Sequence, residues 1–482
     1  MHGENTTTSM RRLFSIMFLA FLLFTISGCN ASKNLESSAL LSKTQSQLTQ
    51  KEKIDDFEYL YKILKENYTF INVNKRINGI DWLNNKDKYM KKVKATKSDE
   101  DFYKTLNAIL KELHNGHTEI LNIQEYIYFK NLYSQDIPWA NQLNNSKAIS
   151  RYSKGDSSES SKKPLNSYEK INVNFIKVLR AENKNNSISK KISTYNVKTK
   201  ILSKERKIAY IKISSFDAFK INEDMNIIKP FFNSINDYKT LIIDIRGNGG
   251  GADAYWEDNI VPMLINKPLK IKYYYAFRGG DFEEDFIKFK LNVGYQGLNK
   301  INLIISEKLK NLPSELTKKF EYYYIYEQTI NPCNSINFSG KVFLLTDKGV
   351  GSSADGFASF SKSTGFATLV GEKTFGGGIG LDPLVCVLPN SGYVFRFPMA
   401  MGLTSDGTCN EEYKTVPDIE ISQAWYSNVF DDKAVKYILV GKTEIISIKE
   451  VIAFSLIILL IVGIIYFKRR LKYRKKYFTK TY

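Results

Sequence analysis

Histidine is nearly absent from this sequence. There are three in 482 residues, and only His114 and His117 lie beyond the first few positions. An enzyme built on a histidine base must therefore use one of these two. Cysteine is almost as scarce, with four residues. No Cys-x-x-Cys or Cys/His spacing of the kind that holds zinc occurs, and His114 and His117 have no further ligands clustered near them. Apart from Cys29, the cysteines are Cys333, Cys386 and Cys409, and three cannot all pair within one chain. Cys386 and Cys409 flank a strand-rich stretch and form the candidate disulfide. Acidic residues are the minority charge, 50 against 69 Lys and Arg, for a net charge of +19. That excess lies partly in the C-terminal tail and is otherwise Lys scattered without a basic motif, so no nucleic-acid partner is expected. A surface facing an anionic cell envelope is the simpler reading.

What is present is a globular composition, 43% hydrophobic and 25% charged, long enough for two or three domains. The two long apolar runs lie near the ends. Arg11 and Arg12 precede the run 13–26, which suits a signal peptide (1–28) better than a span. Ile26-Ser27-Gly28-Cys29 resembles the bacterial lipobox, which makes Cys29 the candidate lipidation site. Residues 29–50 are polar and read as a tether. At the other end, 445–467 is almost wholly apolar, and the tail 468–482 is dense in Lys and Arg. This pattern predicts a C-terminal transmembrane helix with a cytoplasmic tail, and everything before it outside the cell membrane.

Between these ends, residues 51–118 carry apolar positions at helical spacing, among them Phe57, Leu60, Tyr61 and Leu64, then Phe102, Leu106, Leu110 and Leu113. Ser98-Asp99-Glu100-Asp101 is an acidic helix start. Residues 119–205 are the least informative, and within them 144–165 reads as a linker. From 206 to 428, short apolar strands alternate with a helix-sized segment, which predicts an α/β core.

Three motifs could carry chemistry. Ser352 follows a strand and opens a helix, where an exposed hydroxyl meets the positive helix end. Ser352 and Asp355 also fit a helix capping box. Asp244-Ile245-Arg246-Gly247-Asn248-Gly249-Gly250-Gly251 ends a buried strand in glycines. It reads as a tight turn, as a loop aiming backbone N–H groups at an oxyanion, or with Ala252 as a dinucleotide fingerprint. His117 sits on a turn after a helix, in Leu113-His114-Asn115-Gly116-His117-Thr118.

Together, the segments SDEDFYKTLNAILKELHNGHT, LIIDIRGNGGG, VFLLTDKGVGSSADGFASF, TLVGEKTFGGG and VPDIEIS, in this order, resemble the S41 peptidases, the tail-specific and tricorn-like serine peptidases. The resemblance implies a crotonase/ClpP-like α/β core preceded by a helical region, and hydrolysis of a protein or peptide substrate with no metal or organic cofactor. Ser352 matches the nucleophile, Gly249 or Gly250 and the Ser353 N–H match the oxyanion donors, and His117 matches the base of the tricorn-like branch. Asn115 replaces that branch's usual Asp. Glu412 is the best match to the third residue, with Glu411 as its open neighbour, and Thr415 stands where glycine is usual. The lysine of the family's Ser–Lys branch is Gly377 here, and Lys373 does not match it. Together with the two end segments, the resemblance leads to a membrane-anchored extracytoplasmic endopeptidase. The competing classes are an inactive S41-like peptide-binding scaffold and, on the glycine fingerprint alone, a nucleotide-binding oxidoreductase.

Overall fold

The computed structural model describes residues 47–153, 196–422, 428–440 and 455–468. The described residues from Leu48 onward belong to one compact unit. The signal segment, Cys29, the tether up to residue 46, residues 154–195 and the basic tail 469–482 lie outside the described residues.

Four helices open the described residues: α1 (Gln50–Asn67), α2 (Ile71–Asn78), α3 (Lys86–Lys94) and α4 (Asp99–Lys111). Ser98 caps α4 by accepting the N–H of Asp101, and three acidic residues fill its first turn, complementing the helix dipole. Phe102, Leu106, Ile109 and Leu110 form its buried stripe. After α4 come strand β1 (Glu119–Ile120) and helices α5 (Ile123–Leu132), α6 (Ile137–Leu143) and α7 (Ser146–Tyr152). Helix α7 falls inside the stretch read as linker. Asn145 caps it, and Tyr152 stacks on Tyr126 with ring centroids 4.1 Å apart. One buried aromatic pair and a cap thus override a polar composition.

The core follows. Strands β2 (Val197–Ser203), β3 (Ile208–Ile213), β4 (Thr240–Asp244), β8 (Lys341–Thr346), β9 (Thr368–Gly371) and β13 (Ile419–Glu420) form a six-stranded sheet ordered β13-β9-β8-β4-β3-β2. All neighbours are parallel except the edge strand β2. Parallel sheets are covered on both faces, and Leu241, Ile242 and Ile243 of β4 are fully buried. Each such side chain contributes about 1.5–3 kcal/mol of burial. Helices α8 (Ile221–Ser234) and α10 (Ser353–Thr364) are among the elements connecting the strands; α9 (Glu284–Leu291) lies between them in sequence. A second, antiparallel sheet has the order β12-β5-β7-β6, from Met401–Leu403, Leu269–Phe277, Tyr322–Ile330 and Asn299–Lys300. The third sheet, β1-β11-β10, pairs β1 with β11 (Val394–Phe397), which also pairs with β10 (Leu384–Val387). One apolar cluster runs from Phe57 and Trp82 through Leu241 and Phe357 to Phe395, so the helical region shares its core with the sheets. Helix α11 (Lys433–Val440) covers the sheet's other face with Ala434 and Val435.

One expectation changes, and another finds no support among the described residues. Cys386 and Cys409 are buried free thiols. Cys386 lies on β10 of the third sheet, whereas Cys409 bridges Leu403 of the second. Separate sheets hold them in unpaired positions. A helix spans 455–468 with its apolar side chains exposed, but no helix among the described residues is long and apolar enough to cross a membrane. Residues 445–454 of the expected span lie outside the described residues.

Candidate active site

Strand β8 ends at Thr346, and a tight turn carries the chain to Ser352, immediately before α10. Ser352 has φ 51° and ψ −135° and makes no side-chain cap hydrogen bond. A residue held in such a sparsely populated backbone region costs about 1–3 kcal/mol. It is retained here because the turn is held from outside: the Ser352 N–H donates to the Gly376 carbonyl at 3.0 Å. The capping-box alternative is not realised. Asp355 is turned elsewhere and accepts from Thr374 Oγ1 at 2.6 Å, Asn410 Nδ2 at 2.9 Å and the Gly378 N–H at 3.0 Å. A serine in an outlying backbone conformation at a helix N-terminus, with its hydroxyl left out of the cap, has the geometry of a presented nucleophile.

The glycine loop after β4 packs on this turn. A Cβ on Gly250, which has φ +106°, would meet Ser352 Cβ at 2.7 Å and Ser353 N at 2.9 Å. Only glycine permits that approach. Asp347 clasps the two loops by accepting the N–H groups of Gly247 and Gly349, each at 2.9 Å. The Gly250 N–H is donated to Asn248 Oδ1 at 2.9 Å, so Gly250 supplies close approach rather than an oxyanion donor. Gly249 lines the same pocket as Ser352. Ser353 opens α10, so its N–H has no acceptor within the helix. Only the single-turn helix Ala254–Glu257 follows this loop. It therefore lacks the long helix start on which a dinucleotide pyrophosphate rests.

The other wall of the pocket comes from far away in sequence. Asn115, Gly116, His117, Phe375, Gly377 and Glu411 complete the lining. Asn115 is the joint: its Oδ1 accepts the His117 N–H and the Thr118 hydroxyl, both at 2.9 Å, and its Nδ2 donates to Glu411 Oε1 at 2.9 Å. An Asp at this position could not make that last bond. The His117 segment is anchored to the third sheet by pairing of Glu119 with Arg396, whose guanidinium binds Glu119 Oε1 at 2.7 Å. Burial, then the nearby Arg396 and Lys414 cations, pushes the His117 imidazole down to about 3. It is therefore neutral at pH 7. Burial raises the Glu411 carboxyl, against the pull of Lys414, at 3.2 Å, and of Asn115.

Glu412 is corrected by its position. It faces Arg76 of α2, accepting from Nε at 2.8 Å and Nη2 at 2.5 Å, and it does not line the pocket. Both glutamates lie on the single-turn helix Asn410–Tyr413, and a one-residue step rotates a helical side chain by about 100°. Glu411 is the acid that points inward. His114 is exposed and Lys373 is exposed, and neither lines the Ser352 pocket. At Gly377, which has φ +74°, a Cβ would meet His117 Cε1 at 3.1 Å, Nδ1 at 3.4 Å and Glu411 Oε2 at 3.7 Å. His117 and Glu411 thus occupy the space from which a lysine at 377 would extend. No group of His, Cys, Asp and Glu suited to a metal occurs among the described residues.

Sequence reasoning missed Asp355 as an organiser, Asn410 and Arg396. Arg396 left a signal, being a lone cation in the apolar run Tyr393–Phe397. Asn410 left none.

A parallel α/β core with an elbow serine, a backbone donor loop and a neutral histidine beside a carboxylate defines a serine hydrolase site. Residues 207–421, a little under half of the chain, match the model of peptidase family S41. The tricorn protease of Thermoplasma acidophilum is 29% identical over 135 residues, 28% of this chain but 12% of that protein. Among solved structures, mature CPAF complexed with lactacystin aligns over 81% of this chain and 95% of that one, with TM-score 0.49 and 12% identity. A Parabacteroides merdae protein described as a peptidase aligns over 77% and 90%, with TM-score 0.46 and 19% identity. The family segment contains Ser352, Gly249 and Glu411 but not His117.

Proposed function

We propose that the chain is a serine endopeptidase of the tricorn-like Ser–His–Glu style, with Ser352 as nucleophile, His117 as general base and Glu411 as the acid that orients it. The carrying observation is the convergence of Ser352, Gly249, His117 and Glu411 on one pocket.

A serine hydroxyl is a weak nucleophile until a base removes its proton. His117, neutral at pH 7, takes that proton as Ser352 Oγ attacks the scissile carbonyl, then gives it to the leaving amine. Developing imidazolium charge favours the nearby Glu411 carboxylate, and the Asn115 amide holds both groups in register. The N–H groups of Gly249 and Ser353 receive the oxyanion, helped by the positive end of α10. Water then hydrolyses the acyl-enzyme by the same route in reverse. No cofactor enters this scheme.

The proposal extends to location. The lipobox at Cys29, the apolar run 445–467 and the basic tail 468–482 support a peptidase held at the outer face of the cell membrane and acting on exported or surface proteins. The test follows cleavage of an unfolded casein-like protein. Activity lost in Ser352→Ala and His117→Ala but kept in Lys373→Ala is the expected result. A wild type that neither cleaves nor takes up a fluorophosphonate at Ser352 would instead indicate a peptide-binding scaffold.

A further inference from the structure

A groove of about 400 Å³ adjoins the Ser352 pocket. It shares Lys348, Phe375 and Glu411 with that pocket, so the two are continuous. Phe70, Val73 and Ile77, from α2 and its N-terminal flank, and Leu113, just after α4, supply its apolar lining. Its far wall is clamped to the core by Arg76, which binds Glu412 on one side and Glu315 at 2.8 Å on the other. The groove is thus a fixed space between helical region and core, within the 300–1,000 Å³ range of ligand sites.

Its charges are unequal in availability. The Lys414 ammonium is paired with Glu411 at 3.2 Å and lies 5.6 Å from the Phe375 ring centroid. Arg76 is taken up by two carboxylates. Lys348 is exposed and makes no ion pair among the described residues. It stands where the groove opens into the nucleophile pocket, so an apolar space ends in one uncompensated cation.

We infer that this groove is a substrate subsite, one that seats an aliphatic or aromatic side chain and pairs an adjacent acidic side chain with Lys348. The inference rests on the peptidase reading of the neighbouring pocket and adds to it a sequence preference. An apolar side chain leaving water gains from Val73, Ile77 and Leu113, and a neighbouring carboxylate gains the free ammonium. A neighbouring lysine would face Lys348 and be repelled.

The test uses full-length Ser352→Ala protein and fluorescent, C-terminally amidated peptides, followed by anisotropy. Binding then requires no catalysis. Three peptides differ only at a central pair: Leu-Asp, Leu-Lys and Ser-Asp. Leu-Asp is expected to bind about threefold to fivefold tighter than Leu-Lys, as befits one rim charge, and about tenfold tighter than Ser-Asp. Lys348→Glu should reverse the Asp/Lys order, and exposed Ile77→Ser should weaken both Leu peptides alike. Equal binding of Leu-Asp and Leu-Lys, an order unmoved by Lys348→Glu, or no binding of any peptide overturns the inference. Fluorophosphonate labelling of the wild type is read in parallel. Labelling without a charge preference removes the subsite alone, whereas the preference without labelling removes the peptidase reading alone.

Discussion

The two walls of the candidate site are made by different means. The Ser352 wall is local. Strands β4 and β8 are neighbours in parallel register, with Asp244 opposite Leu345, and each ends in a turn that the other contacts. Gly250 against Ser352 and Asp347 across both turns complete it. The His117 wall is assembled across the chain: Asn115 and Glu411 are 296 residues apart when their hydrogen bond forms. One wall joins two short consecutive motifs at the ends of neighbouring strands, and the other joins segments 296 residues apart. The first should tolerate changes in the helical region, and the second should not.

Substitutions sharpen that contrast. The largest effect is expected at the reacting atoms. Ser352→Ala and His117→Ala should each lower kcat/KM by about 10⁴–10⁶-fold, as when members of a concerted unit are removed singly. Steady-state cleavage with active-site titration checks this. Next comes the acid. Glu411→Gln should cost about 10³-fold, by loss of imidazolium stabilisation, while Glu412→Gln should stay within about fivefold because it touches Arg76 and not the pocket. Gly377→Lys should cost about 100-fold or more rather than create a lysine dyad, because its side chain must displace His117. Activity that becomes independent of His117 in this variant would break the comparison.

The smaller effects concern charge. Asn115→Asp loses the donor to Glu411 and places a second carboxylate beside it, so about a tenfold fall is expected. The added negative charge should also move the acid limb of kcat/KM to higher pH. A purely structural role would lower activity without moving that limb. In the wild type, the acid limb should lie below the ordinary histidine value of about 6.5, because His117 is held down to about 3. The sign for stability follows. The unfolded chain takes up a proton at His117 below about pH 6.5 that the folded chain refuses. This group therefore removes stability as pH falls from about 6.5 toward 3. His117→Gln should flatten that part of a denaturation profile taken against pH.

This division explains what could be read from the amino-acid order. The buried run Leu241–Ile243, the Ser98 cap and the serine turn are local patterns, and each occurs where its pattern lies. The choice between Ser352 as cap and Ser352 as presented hydroxyl depended on where Asp355 points, which is set by Thr374 and Asn410. Nothing in the local string reveals that. Glu411 and Glu412 are adjacent in sequence and differ only in which side of one helical turn faces His117. Helix α7 was hidden in a polar stretch because its stability comes from Tyr126, which stacks on Tyr152, and from the hydrogen bonds of Tyr152 to the backbone of Leu121 and Val394, rather than from its own composition.

The central claim is that Glu411, the one acid lining the Ser352 pocket among the described residues, works with a histidine from outside the family segment. Its most direct test is the rate of fluorophosphonate labelling of Ser352 in wild type, His117→Ala, Glu411→Gln and Glu412→Gln proteins, measured side by side. The account predicts labelling slowed by orders of magnitude in the first two variants and close to wild type in the third. Rapid labelling in Glu411→Gln with loss in Glu412→Gln would contradict it.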